Sequence, residues 1–296
     1  MQAKIYKVKN GKRKMVVIVF LNIKGGVAKT ISACNVASIM ATMFGKKVLV
    51  IDMDPQGNTS TMFSTEQDEE ALFKRIKSLL SPEIYYEDDD DDNSYSISDI
   101  LLDVYNKMDI HQAIHKTKYE NIDIIPSRLR LADDDFTIQS NVKFPPTERL
   151  KEHLSAVEDE YDYCIIDCSP SVGIANLNAL YVADEVYMPL KNDAYSLEGI
   201  GVAYNLLKTV KKHNPKLKVG GAFVTQVQKS KLNNLVESML DTYFSEYKLP
   251  ISIRHSVKVG ESTFSCPLLE ADPNAKLNPT QDYIALTKYI LNKERD

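Results

Sequence analysis

Short apolar runs alternate along most of this chain with longer segments that mix apolar and polar residues. The runs are rich in Val and Ile and apolar at successive positions, a pattern typical of strands buried on both faces of a sheet. We predict a strand at each of six runs: "MVVIVFL" (15–21), "KVLVID" (47–52), "NIDIIPS" (121–127), "YCIID" (163–167), "EVYMPL" (185–190) and "KVGGAFVTQ" (218–226).

The segments between these runs predict helices at residues 31–44, 147–158, 196–212 and 231–247. The first is apolar almost all round, which indicates a helix packed inside the molecule against the sheet. Strands that alternate with helices are typical of a doubly wound α/β fold, with a mainly parallel sheet and helices on both faces. We therefore expect a three-layer, Rossmann-like sandwich.

The composition is that of a globular protein, with 44% hydrophobic and 26% charged residues among 296. No run approaches the roughly 18 to 20 apolar residues that span a bilayer, and the first apolar run is too short for a signal peptide. Four cysteines, none in a CxxC pair, favour a reducing compartment. We expect a cytoplasmic protein.

Charge is segregated along the chain, although the net charge is only -5. The first 14 residues carry six basic side chains and no acid, so we interpret 1–14 as a basic N-terminal arm. Residues 65–96 interrupt the alternation and contain "EDDDDD" at 87–92, which cannot bury apolar area. We interpret them as a surface insertion within a single domain at 15–296.

"NIKGGVAKT" (22–30), between the first predicted strand and helix, has the features of a phosphate-binding loop. Glycines allow backbone N–H groups to turn toward phosphates, and the helix N-terminus adds its positive dipole. Lys29 would reach the phosphate oxygens and the Thr30 hydroxyl would coordinate Mg²⁺. The predicted cradle comprises Gly25, Gly26, Val27, Ala28, Lys29, Thr30 and Ile31.

Ala28 departs from the usual pattern of such loops, G-x-x-x-x-G-K-[ST], because it occupies the position of the last glycine. Its methyl group should be tolerated if the backbone keeps a negative φ there.

Two further strands end in carboxylates. "VLVIDMDPQGN" (48–58) contains Asp52 and Asp54, and "YDYCIIDCSPSVG" (161–173) contains Asp167. An Asp after a strand commonly does no more than cap the next turn. However, an apolar strand that ends in Asp is also the Walker B pattern, whose Asp holds Mg²⁺. The carboxyl ends of parallel strands meet at one edge of the sheet, where such sheets bind ligands.

Together, "KGGVAKT", "VLVIDMDPQGN" and "YDYCIIDCSPSVG" resemble the deviant Walker A, A′ and B motifs of the ParA/Soj/MinD ATPases. The similarity continues through "NALYVADEVYMPL", "SLEGI" and "SVKVGEST", so it covers most of the chain from residue 15 to the C-terminus. The ParA-type plasmid or chromosome partition branch is the most similar. The resemblance implies ATP and Mg²⁺ as cofactors and slow basal hydrolysis.

The resemblance also implies roles for single residues. Lys24, the lysine before the glycines, would reach across a homodimer onto the partner's nucleotide, where it neutralises developing charge as an arginine finger does. Asp54 would position the attacking water, and Asp52 would lie near the Mg²⁺ shell with Asp167. Ser169 stands where many relatives have proline, which leaves open the geometry of the loop after the third motif.

ParA-like proteins bind DNA non-specifically through basic residues of the dimer, and a ParB-like adaptor stimulates hydrolysis. The matching positions here are Lys231 and Lys258, with Lys229, Arg254 and His255 nearby. Such contacts would be salt-sensitive. The resemblance therefore implies a nucleoid-associated protein.

Two alternatives remain: a MinD-like or protein-cargo positioning ATPase, and a nucleotide-gated scaffold with little turnover. The last predicted helix, 280–296, has apolar positions spaced to pack on a core and not to anchor in a membrane. Similarly, core packing explains Cys164 and Cys168 better than an iron–sulfur cluster does, and "HQAIH" (111–115) lacks the glutamate of a zincin helix.

Overall fold

The computed structural model describes residues 14–63, 94–105, 107–140, 145–228, 231–262 and 267–293. The predicted basic arm, apart from Lys14, lies outside the described residues. So does the predicted acidic insertion, apart from its last three residues.

One sheet of seven strands forms the centre of the described chain, in the order β3-β4-β2-β5-β1-β6-β7. The strands are β1 (Val16–Phe20), β2 (Val48–Met53), β3 (His115–Lys116), β4 (Ile122–Ile125), β5 (Tyr163–Cys168), β6 (Glu185–Lys191) and β7 (Lys218–Thr225). All neighbours are parallel except β3 and β4. The predicted doubly wound, mainly parallel fold is confirmed, and six strands match the six predicted runs.

The helices surround this sheet. They are α1 (Lys29–Phe44), α2 (Asn58–Phe63), α3 (Ile97–Leu102), α4 (Leu131–Ser140), α5 (Arg149–Ser155), α6 (Ile174–Val182), α7 (Ala194–Val210), α8 (Lys231–Tyr243), α9 (Val257–Ser262), α10 (Leu268–Ala271) and α11 (Asn278–Lys293).

The predicted helices are present but their bounds differ. The helix α1 begins two residues before the prediction, at Lys29, because the phosphate loop leads directly into it. The helix α7 begins at Ala194, since Asp193 caps it by accepting a hydrogen bond from the Ser196 amide over 2.7 Å. The helices α5 and α8 end three and four residues early, at Ser155 and Tyr243. The short elements β3, α2 and α3 were not predicted because each spans too few residues to show a periodic pattern.

Successive residues of the central strands point to opposite faces of the sheet and enter two separate apolar cores. Val17 and Val19 of β1 belong to the core beneath α5, α6 and α7. Val16 and Ile18 belong to the core beneath α1 and α11. Burial on both faces explains the unbroken apolar runs in the sequence.

The C-terminal helix α11 packs on α1, as its apolar spacing predicts. Tyr283, Leu286 and Ile290 are buried, and the Tyr283 hydroxyl lies 3.2 Å from Ser32 Oγ of α1. Among the helices that the structure describes, none combines the length and apolar character needed to cross a bilayer.

Cys164 and Cys168 of β5 are buried in one core among apolar side chains, so their predicted packing role is confirmed. The two histidines of "HQAIH" make different contacts. The His111 ring bridges Asp109 and Glu160, whereas His115 Nε2 lies 2.8 Å from the Tyr95 carbonyl.

The register of the sheet brings the three motif-bearing strands together. The strand β5 lies between β1 and β2, with Asp167 of β5 opposite both Asp52 of β2 and Phe20 of β1. Because these strands are parallel, the residues that follow them emerge at the same edge. The strand order therefore assembles the predicted site.

Candidate active site

The loop between β1 and α1 takes a left-handed backbone conformation at two positions. Gly26 has a φ of 72° and Ala28 a φ of 65°. Two side chains at the end of β7 hold this loop, since Gln226 Nε2 donates to the Gly26 carbonyl over 2.9 Å and Thr225 Oγ1 donates to the Val27 carbonyl over 3.1 Å. Successive N–H groups in such a conformation form a concave anion site.

The condition under which the Ala28 methyl group should be tolerated, a negative φ, is not met. The residue precedes the first residue of α1 and has the left-handed conformation that favours glycine. An alanine there costs on the order of 1 kcal/mol of backbone strain, because its Cβ approaches the neighbouring carbonyl. The loop thus has the backbone conformation expected for glycine at this position, although the residue is alanine.

The two lysines of the loop have different environments. Lys29 is 6% exposed, and its Nζ donates to the Lys24 carbonyl over 3.0 Å. Burial lowers the pKa of Lys29, an effect opposed mainly by the negative charge of Asp167. In contrast, the Lys24 side chain is exposed, with its Nζ 5.0 Å from the centre of the Tyr195 ring on α7. Lys29 therefore lies inside its own site, whereas Lys24 lies at the surface.

Asp52 and Asp167 are fully buried side by side at the ends of β2 and β5. Asp52 accepts from the amide of Asp54 over 3.0 Å and from the amide and hydroxyl of Ser60, each over 2.8 Å. Asp167 Oδ2 accepts from the Thr59 hydroxyl over 2.8 Å. Both carboxylates are thus anchored by α2, which starts at the last residue of the second motif.

The oxygens of Asp167 differ in a way that fits a metal ligand. Its Oδ1 is buried and has no hydrogen-bond partner among the described residues. The Thr30 hydroxyl at the start of α1 also interacts with this carboxylate. Carboxylate and hydroxyl oxygens are the donors that Mg²⁺ prefers. Thr30, Asp52 and Asp167 could therefore hold this ion, with Asp167 offering the free oxygen.

Burial also changes the protonation of this pair. Desolvation raises the pKa of Asp52 to about 6, although hydrogen bonds from Ser60 oppose it. Desolvation and the charge of Asp52 raise the pKa of Asp167 to about 7, although the Thr30 and Thr59 hydroxyls oppose it. Each group favours its neutral form more than it would in water, and a bound cation would reverse this preference.

Asp54, the predicted water-positioning residue, stands at the mouth of the site. It is half-buried, its amide donates to Asp52, and its Oδ1 accepts from the Gln56 amide over 3.0 Å. Its carboxylate also acts on the charge of Lys29. The structure thus brings Asp54 near the phosphate loop, as the sequence predicts.

Side chains hold the loop after β5, the loop whose geometry the sequence does not determine. Asn176 of α6 donates to the carbonyls of Ser169 and Ser171 over 2.9 and 2.7 Å. The hydroxyls of the two serines lie 2.8 Å apart. Ser169 is therefore bonded within the loop, at the position where many relatives have proline.

A cleft of about 460 Å³ opens beside the phosphate loop, within the usual range for small-molecule sites. Gly26, Ala28 and Ile31 line one side, so three predicted cradle residues face it. The rest of the lining comes from the end of β7, from residues 253–257, 259 and 260, and from Tyr283. The cleft is thus continuous with the phosphate loop.

The remaining cradle residues lie in the loop or the first turn of α1: Gly25 is exposed, Val27 and Lys29 are buried, and Thr30 is half-buried.

Several residues that shape the site were not predicted from the sequence. Thr59 and Ser60 directly follow the second motif, so their position after "QGN" could have suggested them. Asn176 and Gln226 offer no such signal, because the carbonyls that they bind come close only in the folded chain.

The predicted DNA-binding residues are not equally free. Lys229 lies outside the described residues, and Lys231 begins α8 with a side chain that is also outside them. Arg254 forms an ion pair with Asp282. Lys258 lies on α9 and pairs with Glu261 over 2.6 Å.

Replacing Ala28 by glycine should raise the free energy of unfolding by about 1 kcal/mol, because glycine adopts a positive φ without strain. Urea denaturation measures this change. The matched control is Ala285→Gly in the exposed middle of α11, which should lower the free energy by about 1 kcal/mol. A loss of stability in both variants would contradict the strain at Ala28.

The raised pKa values predict a pH dependence of the metal-free protein. The folded chain binds more protons than the unfolded chain between about pH 4 and pH 7, so this contribution to stability is present at low pH and is lost as pH rises. In EDTA, Asp167→Asn should therefore gain stability relative to wild type across this window, by up to about 1 kcal/mol per pH unit. Urea denaturation at successive pH values measures the difference, and Mg²⁺ should reduce it. A difference that does not change with pH would contradict the prediction.

Comparison with known proteins places the chain among its relatives. A sequence model described as an AAA domain matches residues 15–219. The chain is 30% identical over 277 residues to the sporulation initiation inhibitor protein Soj of Bacillus subtilis, covering 93% of this chain and 97% of that protein. It is 31% identical over 280 residues to the chromosome-partitioning ATPase Soj of Treponema pallidum, covering 94% and 97%.

A solved structure shows the same fold. Cobyrinic acid a,c-diamide synthase of Mycobacterium smegmatis, with a bound ATP analogue and magnesium, superposes with a TM-score of 0.71 at 23% identity, covering 94% of this chain and 95% of that one. With the family match extending over most of the chain, the protein belongs to the ParA/Soj/MinD family of deviant Walker-type ATPases, as an ATP hydrolase.

Proposed function

We propose that the chain is a ParA-type partition ATPase. In this proposal, ATP and Mg²⁺ close a sandwich homodimer, the dimer binds DNA non-specifically, and a ParB-like adaptor stimulates hydrolysis and release. The name of the Treponema pallidum relative supports the partition role. The cycle would segregate a plasmid or another DNA from the nucleoid surface.

The contrast between the two loop lysines carries the proposal. Lys29 is buried in its own site and suffices for an ordinary phosphate cradle, whereas Lys24 extends its charge at the surface beside that cradle. A surface cation next to a nucleotide is well placed to meet the nucleotide of a second copy. ATP would then join two subunits, and its hydrolysis would separate them.

The geometry supports a definite placement of the nucleotide. The triphosphate would lie on the N–H groups of residues 25–31, and the base would enter the adjoining cleft, where Ile31, Ile253 and Tyr283 supply apolar surface. Mg²⁺ held by Thr30, Asp52 and Asp167 would neutralise phosphate charge. Asp54 would hold the attacking water at the mouth of the site.

DNA binding would draw on Lys231 and Lys258, with Lys229 nearby in the sequence. The ion pair of Lys258 with Glu261 joins two exposed side chains, 59% and 55% exposed, so solvent screens it and a DNA phosphate can replace the carboxylate. Such contacts follow the backbone of DNA and not its bases, so binding would be sequence-independent.

Two other functions make different predictions. A MinD-like positioning ATPase would use a membrane-binding helix, but Tyr283, Leu286 and Ile290 of α11 are buried in the core beneath α1. Pelleting with liposomes and with DNA in the presence of ATP separates these possibilities. A nucleotide-gated scaffold with little turnover would release phosphate at one slow rate whatever the concentration of DNA and adaptor.

Lys24→Gln should abolish ATP-dependent dimerisation while leaving nucleotide affinity within about twofold, because the lysine acts on the partner's nucleotide. Sedimentation with ATP and Mg²⁺ measures the dimer, and fluorescence titration measures nucleotide affinity. Lys47→Gln, an exposed lysine at the opposite edge of the sheet, is the matched control and should dimerise normally. A normal dimer from Lys24→Gln would overturn the trans role.

Lys258→Glu should weaken DNA retention at least about tenfold and reduce its salt dependence, since fewer counterions are released on binding. DNA retention with ATP and with ADP over a salt series measures both effects. Dimerisation should not change, and Lys47→Glu serves as the control. Unchanged retention by Lys258→Glu would move the DNA surface elsewhere, whereas equal retention with ADP would contradict control by ATP.

A further inference from the structure

Residues 253–256 form one wall of the cleft and lie outside the helices and strands. This wall is attached to the end of β7 by backbone hydrogen bonds. The Ile253 amide donates to Val224 over 2.8 Å, the Val227 amide donates to Ile253 over 3.0 Å, and the His255 amide donates to Val227 over 3.0 Å. These bonds hold the wall at the edge of the sheet, so its other side depends on contacts with α11.

Arg254 supplies such contacts through both its backbone and its side chain. Its amide donates to Asp282 Oδ2 over 2.9 Å. Its guanidinium donates to both oxygens of the same carboxylate, with Nε 2.9 Å from Oδ2 and Nη2 2.6 Å from Oδ1. Nη2 also donates to the Asn278 carbonyl in the first turn of α11. Arg254 therefore fastens the wall to α11 by a bidentate pair, the strongest geometry for these two groups.

The residue after Asp282 lines the same cleft. Tyr283 is buried, and its hydroxyl reaches Ser32 of α1, one residue beyond the cradle residue Ile31. One turn of α11 thus binds the wall through Asp282 and supports the interior of the cleft through Tyr283. The ion pair therefore joins the wall to the helix that also contacts α1.

Arg254 and Lys258 are close in sequence but differ in how readily they could leave their partners. Asp282 is 13% exposed and binds Arg254 through several hydrogen bonds, whereas Glu261 is 55% exposed and binds Lys258 through one. Replacing Asp282 by a DNA phosphate would leave a largely buried carboxylate without its partner, which is costly.

We propose that Arg254 is a positioning residue of the nucleotide-base cleft, braced by Asp282, and not a DNA contact. This inference rests on the proposed function, in which the cleft receives the base of ATP. The ion pair holds the wall at the separation that the base requires, whereas the phosphates bind to the loop and do not depend on it.

Affinities for ATP and for inorganic tripolyphosphate, both measured with Mg²⁺ by calorimetry, test the proposal. Arg254→Gln and Asp282→Asn should each weaken ATP about tenfold and leave tripolyphosphate within about twofold, because the base contacts alone are lost. The double variant should be no weaker than either single one, since both substitutions remove one interaction. DNA retention at saturating ATP should match wild type.

Lys116→Gln breaks an ion pair between β3 and β4 whose carboxylate, Asp123, has the same 13% exposure as Asp282, and serves as the matched control with unchanged affinities. Equal weakening of ATP and tripolyphosphate would overturn the inference in favour of a general structural role. So would normal ATP affinity together with lost DNA retention, the result expected of a DNA contact. Wild-type protein that binds tripolyphosphate as tightly as ATP would refute the base cleft itself, independently of dimerisation and DNA binding.

Discussion

The site depends on the parallel pairing of β5 between β1 and β2. This pairing sets Asp167 opposite Asp52 in the register and brings the phosphate loop after β1 to the same edge. A shift of one residue would turn each carboxylate to the other face of the sheet, since side chains alternate along a strand. The apolar cores on both faces prevent such a shift, so packing away from the site maintains the geometry of the site.

The same arrangement concentrates charge where water is excluded. Two buried carboxylates and the buried Lys29 lie at one edge, and the desolvation of each is partly offset by hydrogen bonds or by a neighbouring charge. Such a site favours a ligand that brings both negative phosphate groups and a divalent cation. The electrostatic free energy of the empty site is therefore unfavourable. A bound nucleotide and its divalent cation would supply the opposite charges that Lys29 and the two carboxylates need.

Two basic residues near the phosphate loop, Lys24 and Arg254, carry the same charge but have different surroundings. Lys24 has an exposed side chain near an aromatic ring, so its charge remains accessible to a second copy of the chain. Arg254 has a comparable charge, but its guanidinium is committed to Asp282. A cation paired with a solvent-exposed carboxylate can exchange it for another anion, because solvent screens the pair. A cation paired with a largely buried carboxylate cannot, because that carboxylate would be left desolvated without a partner.

The sequence alone determined six of the seven described strands, the fold class and the three motifs, because burial on both faces leaves unbroken apolar runs and phosphate chemistry requires particular residues in order. Tertiary structure decided what local patterns do not encode. The positive φ of Ala28 follows from the path of the loop into α1, and the hydrogen bond from Gln226 joins segments far apart in the chain. Likewise, in the sequence Arg254 is one more basic residue near Lys258, and only the folded position of Asp282 pairs it with a carboxylate far less exposed than the partner of Lys258. Contacts between distant segments depend on the whole fold, so the residues next to them in the sequence do not predict them.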